Sequence, residues 1–422
     1  MIYESLDHAN EAVIAKITEA QPFLIDVVPA KSVIKALEGK TLLHSGPPIS
    51  WNDMTEPMQG SCYGAVMFEG WASSREDAEK LLSEGHINFI PCHDVDAVGP
   101  MGGITSGNMP VLVVENRNHG NRAYCTLNEG IGKVLRFGAY GEEVVNRLHW
   151  MKDVLGPCLS EALGKMDGGM NLGVIVSKAI TMGDEFHQRN IAASALFMKD
   201  IMPYLLEAEI PQKDLRQVSK FLADTDQFFL NVAMAYCKSV MDAAKSVGEG
   251  TIVTAMTRNG NEFAIKVSGL GDKWFRAPVN MPKGLFFTGY TQEDANLDMG
   301  DSAITETFGV GGMAMIAAPG VTRFVGADGM GAAMEISEEM EEISVGHNPN
   351  LAIPTWDFKG ALVGIDVRKV VETGITPLIN TGIAHKKAGV GQIGAGMVRA
   401  PYECFTKALE GLVEKYVSEE DN

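Results

Sequence analysis

Glu185, His187, Arg189 and Asn190 fall within one octapeptide, GDEFHQRN (183–190), which borders the apolar helical run IAASALFM. An imidazole titrates close to neutral pH and can move a proton, and a guanidinium can grip a carboxylate with two parallel hydrogen bonds. Gly183 and Asp184 read as a helix start with Asp184 as the cap, which would set His187 and Asn190 on one face. His187 and Arg189 are therefore candidate catalytic residues and Asn190 a candidate substrate contact. A polar contact between packed parts of the chain is the plainer reading of the same residues.

A second group lies in NLDMGDSAITETFGVGGMAMIAAPGV (296–321), where Asp301, Thr305 and Glu306 precede Gly309, Gly311 and Gly312. Asp301-Ser302 resembles a helix start. Glycines allow positive φ and close approach to a ligand, and a helix beginning at Gly312 would offer free N–H groups to an anion. Tight turns between buried elements account for the same glycines equally well.

The third group is INTGIAHKKAGVGQIGAGMVRAP (379–401). His385, Lys386, Lys387 and Arg399 bracket Gly389, Gly391, Gly394 and Gly396, the composition of an anion-binding backbone nest, with His385 a further proton carrier. A solvent-facing loop with ordinary lysines is the alternative. Asn118 and His119, in NRNHGNR (116–122), follow the strand-like VLVVEN. Ligands in open α/β sheets lie at such strand ends, although Asn and Gly also make hairpin turns.

Several chemistries have no signal. The nine histidines form neither HxxxH nor HExxH, and no CxxC occurs, so no metal is expected. GVGQIGAG (389–396) lacks the preceding strand and the acidic partner of a dinucleotide fingerprint, and P-loop and GxSxG motifs are absent, so no cofactor is expected.

The elements that must position these groups follow from periodicity. Residues 5–20 repeat apolar positions as a helix does; FLIDVVPA and TLLHSG read as strands separated by a helix, KSVIKALEG. INFIPCHD, VLVVEN and RAYCTLN add strands. Long helical patterns then run to about residue 247. TIVTAMT and EFAIKVSG flank Arg258-Asn259-Gly260-Asn261, a hairpin with Asn-Gly at its turn. GHNPN (346–350) reads as a polar loop, ADGMGAAMEISEEMEEI (327–343) as a helix after glycines, and ALVGIDVRKVVETGITPLINTGIA as strand, helix, strand. The final helix, YECFTKALEGLVEKYV, would turn Phe405, Leu409, Leu412 and Val413 inward. The expected fold class is α+β, mixed α/β: a mixed domain over 1–140, a helical domain over 141–247, and a mixed domain over 248–422 with Gly-rich anion-binding loops.

With 422 residues, 45% hydrophobic and 21% charged, the chain is long enough for two or three packed domains. A formal charge of −19 opposes binding to nucleic acid or an anionic membrane. Six scattered cysteines, no apparent signal peptide and no apolar run of membrane-spanning length lead to an expectation of a cytoplasmic protein.

At GDEFHQRN, at NLDMGDSAITETFGVGGMAM and at GHNPNLAIP with INTGIAHKKAGVGQIGAGMVRAP, the chain resembles the YlbE-like family, over nearly its whole length. That resemblance implies two α+β domains around a small helical one. It also implies a subunit of an oxamate carbamoyltransferase of anaerobic allantoin catabolism, converting oxalurate and phosphate to oxamate and carbamoyl phosphate. The implied partners are an FdrA-like protein, a small YlbF-like protein and a small anionic substrate (oxamate or oxalurate, carbamoyl phosphate or phosphate); a homodimer is a further assembly to consider. An alternative is a non-catalytic scaffold or regulatory subunit that binds a small anion and docks the FdrA-like partner. The S-T-R-T-type phosphate motif of the familiar carbamoyltransferases is absent, so any carbamoyl phosphate site here has a different design.

Overall fold

The computed structural model describes residues 3–325 and 329–420. The expected helix start at Ala327-Asp328 and the last two residues of the acidic tail, Asp421-Asn422, lie outside that range. The chain folds as a mixed α/β structure of several small sheets. Its largest sheet has five strands in the order Ala97–Val98, Asn121–Thr126, Pro110–Asn116, Pro22–Pro29 and Met170–Asn171. The strands Pro22–Pro29 and Pro110–Asn116 run antiparallel and turn Leu24, Val27, Leu112 and Val114 into the core.

Against this sheet lies the helix Phe229–Lys245, in which only Asp242 and Lys245 are not buried. A helix apolar on all sides belongs in a protein interior. Its few polar residues dock it: the Asn116 and Asn121 amides donate to the Ser239 carbonyl, and Asn231 Nδ2 donates to the Thr126 carbonyl at 2.7 Å. On its other side Tyr236 meets Phe308 edge-on at 5.4 Å between ring centroids. One apolar cluster runs from Val13 through this helix to Leu412.

The hairpin Val253–Asn259 with Glu262–Val267 forms as the Asn-Gly signal requires, and joins Phe275–Pro278 and Met299–Gly300 in a four-stranded antiparallel sheet. Lys283–Phe286, Gln392–Arg399 and Leu378–Ala384 make a three-stranded antiparallel sheet. Among the described residues no helix is long and apolar enough to cross a membrane, and all six cysteines are buried free thiols.

Four local expectations fail, each for a physical reason. KSVIKALEG forms only a single turn of 3-10 helix, Ala30–Ser32, tied by its Ala30 and Lys31 N–H groups to the carbonyls of Met109 and Gly107. GHNPN lies within the strand Ser344–Ile353, whose ladder with Lys359–Ile365 is irregular between Asn348 and Ala352. The residues after VLVVEN do not end a parallel strand. They turn an antiparallel hairpin in which Asn116 pairs with Asn121. Val413 is 53% exposed, since one residue past buried Leu412 the helix has already rotated toward solvent.

Among the described residues Arg258 is the largest side chain that is fully buried, and its hydrogen bond to Thr381 joins two sheets. Its Nε and Nη2 donate to Asp298 at 2.6 and 3.2 Å, Nη1 to the Gly300 carbonyl, and Nη2 also to Thr381 Oγ1. Removing one partner of such a pair strands a buried charge. Arg258→Leu is expected to lower the unfolding free energy by about 3–5 kcal/mol in urea titration. A loss below ~1 kcal/mol would show that Asp298 is satisfied without it.

Candidate functional site

The loop 184–190 carries the first side chains of the candidate site. The helix Leu172–Thr181 ends before Gly183, which takes φ +98°. Glu185 then folds the loop around itself: its Oε1 accepts the backbone N–H groups of His187, Gln188 and Arg189 at 3.1, 2.5 and 2.6 Å. Phe186 sits at φ +71°, a left-handed conformation rare for a bulky residue, and its ring is anchored in the core. The helix expected from Gly183-Asp184 begins instead at Ile191. The Asp184 carboxylate reaches forward to cap it, accepting the Ala193 N–H at 2.7 Å.

Glu306, on the short helix Ile304–Phe308, supplies the facing carboxylate. It accepts His187 Nδ1–H at 2.8 and 3.0 Å, Thr305 Oγ1–H at 2.9 Å, the Gly312 N–H at 2.9 Å and the Asn380 N–H at 3.1 Å. A carboxylate at Nδ1 fixes the proton there, which leaves Nε2 as the acid or base; it has no hydrogen-bond partner among the described residues. Asn380 joins the two carboxylates, since its Nδ2 also donates to Glu185 Oε2 at 2.7 Å. Gly311 closes the ring, with its N–H donating to the Glu185 carbonyl at 2.6 Å. Its φ of +62° and the 2.1 Å between an added Cβ and Glu306 Oε1 leave room for glycine alone.

The anion at the Gly312 helix start is thus a residue of the protein, Glu306. The Gly311, Gly312 and Met313 N–H groups donate to Glu185, Glu306 and Val310, so this stretch has no donor to spare for a substrate anion. His187, Arg189, Asn190, Thr305, Glu306, Gly311 and Gly312 nonetheless come together from two distant parts of the sequence. Asn190 donates to the His187 carbonyl at 3.4 Å, and Arg189 Nε lies 3.5 Å from Asp184 Oδ1 with its side chain half exposed. A cleft of about 380 Å³, lined by Gly183, Gln188, Arg189, Ile191 and residues 317–321, opens beside them.

The other candidates lie elsewhere. Asp301 is buried in a separate junction, accepting the Gly46 and Gly99 N–H groups at 3.1 and 2.9 Å and the Thr257 hydroxyl. Burial pushes its carboxyl up to about 6 against those three hydrogen bonds. His385 Nδ1 accepts the Lys387 N–H, Lys386 Nζ donates to the Glu293 carbonyl, and Gly391 packs on Gly132. Gly394 is a strand residue whose added Cβ would lie 2.5 Å from the Leu285 carbonyl. Arg399 pairs with Glu339 at the opposite end of the hairpin, where it faces Leu378. About 20 Å of strand separates it from the 385–391 turn, so the expected nest of His385, Lys386 and Arg399 does not assemble. Asn118 donates to the Glu19 carbonyl, and the His119 ring is clasped by Lys16 through its Nζ and its carbonyl. Both pin a hairpin to the first helix. No group of three His, Cys, Asp or Glu side chains among the described residues is placed to hold a metal ion.

Sequence reasoning missed Asn380 as a site residue, although Asn-Thr in the middle of the apolar strand LINTGIA was a readable signal. It also passed over Glu185 as an ionisable group in its own right. Burial is the largest influence on that carboxyl and raises it to about 7, opposed by His187, the Arg189 N–H and Asn380. Because the folded value lies above the ordinary 4.5, the contribution to stability is complete below about 4.5 and is lost as pH rises through about 7. Glu185→Gln should remove that slope. Between pH 5 and pH 8 the wild type is expected to lose up to about 3 kcal/mol relative to the variant, read by urea unfolding across pH. Parallel curves would show that Glu185 ionises normally. The Asn380 amide can rotate to present Oδ1, which has no partner, to the new Gln.

Comparison with known proteins bears on this arrangement. The family model described as oxamate carbamoyltransferase subunit AllG matches residues 87–302. The chain is 63% identical over 414 residues to the oxamate carbamoyltransferase subunit AllG of Escherichia coli (strain K12), covering 98% of this chain and 99% of that one. It is 44% identical over 408 residues to the uncharacterized protein YahG of the same organism, covering 97% and 86%. A crystal structure of a conserved protein of unknown function from Enterococcus faecalis V583 superposes with a TM-score of 0.95 at 46% identity, covering 98% of this chain and 99% of that one. The chain belongs to the family of the oxamate carbamoyltransferase subunit AllG.

Proposed function

We propose that this chain is one subunit of an oxamate carbamoyltransferase, acting on oxalurate and phosphate to give oxamate and carbamoyl phosphate. The observation that carries the reading is 63% identity over 98% of the chain to a relative of that name. Here a phosphate oxygen bonds to the carbamoyl carbon, the carbon–nitrogen bond to oxamate breaks, and the proton given up by phosphate ends on the leaving nitrogen. His187 Nε2 carries that proton, and Glu306 on Nδ1 orients the ring and stabilises the imidazolium that forms between the two transfers. Arg189, at the mouth of the adjoining cleft, grips the carboxylate of oxalurate.

A second reading, a scaffold subunit that docks an FdrA-like partner, is favoured by one observation. The backbone donors of residues 311–313 are engaged within the chain. Under both readings the phosphate is held by another subunit.

The experiment is carbamoyl phosphate formation from oxalurate and phosphate, with the chain alone and with its FdrA-like and YlbF-like partners. Activity is expected in the mixture. His187→Gln should lower turnover about 10²–10⁴-fold with assembly intact, the usual worth of a positioned acid–base group. Arg189→Ala should raise KM for oxalurate without dissociating the complex. Loss of assembly with either variant, at unchanged turnover per assembled complex, would favour the scaffold.

A further inference from the structure

Two polar stretches that the His187 centre leaves unused, NRNHGNR (116–122) and GHNPN (346–350), meet in the fold. Together with the end of the first helix, Leu6–Thr18, and the start of the helix Leu172–Thr181, they enclose a cleft of about 840 Å³. Ile17 and Leu351 give it an apolar floor, and Tyr236 reaches it from the buried helix Phe229–Lys245. Two of its polar side chains are more than nine-tenths buried, Tyr236 at 6% exposure and Asn348 at 3%. Among the described residues neither the Tyr236 hydroxyl nor Asn348 Nδ2 has a hydrogen-bond partner, and neither atom is sealed in the core. Both open to the cleft. Asn348 sits where its strand's ladder becomes irregular, and such irregularities re-aim a side chain. Buried polar groups are otherwise nearly always paired.

The other amides of the cleft are held by backbone hydrogen bonds that leave one end of each open. Asn350 Nδ2 donates to the Thr18 carbonyl at 2.7 Å and Asn118 Nδ2 to the Glu19 carbonyl, so both leave Oδ1 free. Asn171 Oδ1 accepts the Val174 N–H at 3.3 Å and leaves Nδ2 free. Asn348 Oδ1 accepts the Asn350 N–H at 3.0 Å and does the same. Two acceptors, two donors and one hydroxyl therefore line a single cleft, with one charge of each sign, Lys178 and Glu19, among its walls. Burial raises the Tyr236 hydroxyl above its ordinary range, which keeps it protonated. A carboxylate only accepts and an ammonium only donates, whereas a hydroxyl does both. Neutral hydroxyls are the match.

We infer that this cleft is a binding site, separate from the His187 centre, for a neutral ring compound with adjacent hydroxyl groups, a free sugar or the ribose of a nucleoside. The apolar face of such a ring fits against Ile17, Leu351 and the Tyr236 ring, and its hydroxyls meet the Tyr236 hydroxyl and the four asparagine amides. Asn171 stands at the start of the helix Leu172–Thr181, and the loop 184–190 follows its far end, about 15 Å away. The inference therefore stands or falls independently of the proposed carbamoyl transfer.

The test is saturation-transfer NMR and calorimetric titration of the full chain with maltose, adenosine, 2′,3′-dideoxyadenosine and glutarate. Maltose stands for a free sugar and adenosine for a nucleoside; the dideoxy form lacks the adjacent hydroxyls, and glutarate is an anion. Maltose or adenosine is expected to bind, and the tighter of the two identifies the source. If that is adenosine, the dideoxy form should bind about tenfold or more weakly, since each hydrogen bond is worth about fivefold. Tyr236→Phe keeps the ring against Phe308 and should weaken the better ligand about fivefold. Asn171→Ala, at the exposed end of the cleft, should do the same and serves as the second variant should Tyr236→Phe fail to fold. Binding of neither maltose nor adenosine would overturn the inference. So would tighter binding of glutarate, equal affinity for a preferred adenosine and its dideoxy form, or unchanged affinity in the folded variants.

Discussion

Glu306 is the point on which the centre of this molecule depends. An ionised carboxylate buried without partners is prohibitively unfavourable, so wherever one survives the chain must have brought donors to it. Glu306 draws its donors from four places in the sequence, at His187, Thr305, Gly312 and Asn380. It therefore fixes the 184–190 loop, the glycine-rich turn and the strand Leu378–Ala384 relative to one another. Asp301 does the same for Gly46, Gly99 and Thr257, and Asp298 for Arg258 and Thr381. The strand Leu378–Ala384 links these junctions, because Thr381 bonds Asp298 through its hydroxyl and accepts Gln188 through its carbonyl. Two hydrogen bonds and one residue of strand thus connect Gln188 to Arg258.

The glycines serve these carboxylates more than they serve a ligand. Gly309 takes φ +115°, with an added Cβ only 1.7 Å from the Leu362 carbonyl, and at Gly312 it would lie 2.1 Å from the Leu378 carbonyl. These contacts seat the short helix Ile304–Phe308 against two strands and aim Glu306 at His187. A phosphate loop and a loop that holds an internal carboxylate use the same backbone geometry, since both direct N–H groups at an oxygen anion. Composition alone cannot tell them apart.

That ambiguity marks how far the sequence could be read. The mixed fold class, the Val253–Val267 hairpin and the buried helix around Tyr236 were legible because apolar periodicity and Asn-Gly turn chemistry are local signals. The grouping of GDEFHQRN with ITETFGVGG was legible as composition, two polar clusters each bordered by apolar runs. Their meeting was not, because His187 and Glu306 are more than a hundred residues apart and nothing local encodes the contact. The lysines near His385 misled for the opposite reason. Positive side chains among glycines suggest an anion site, yet Lys386 and Arg399 are spent on a carbonyl and on Glu339 at opposite ends of one hairpin. Asn380 was within reach, since an amide in an apolar strand must find partners inside the protein.

The electrostatics argue for a division of labour between subunits. The chain has a formal net charge of −19, and its candidate centre presents carboxylates and amide oxygens. A phosphate dianion brought into that centre would meet acceptors, not donors, with Coulomb repulsion strengthened by the low dielectric of a buried site. The proposed transfer of a carbamoyl group to phosphate therefore needs an electropositive surface besides this centre. Within this chain the nearby backbone donors are already bound to its own carboxylates and carbonyls. On the proposed reading, the basic half of the active site belongs on a partner subunit.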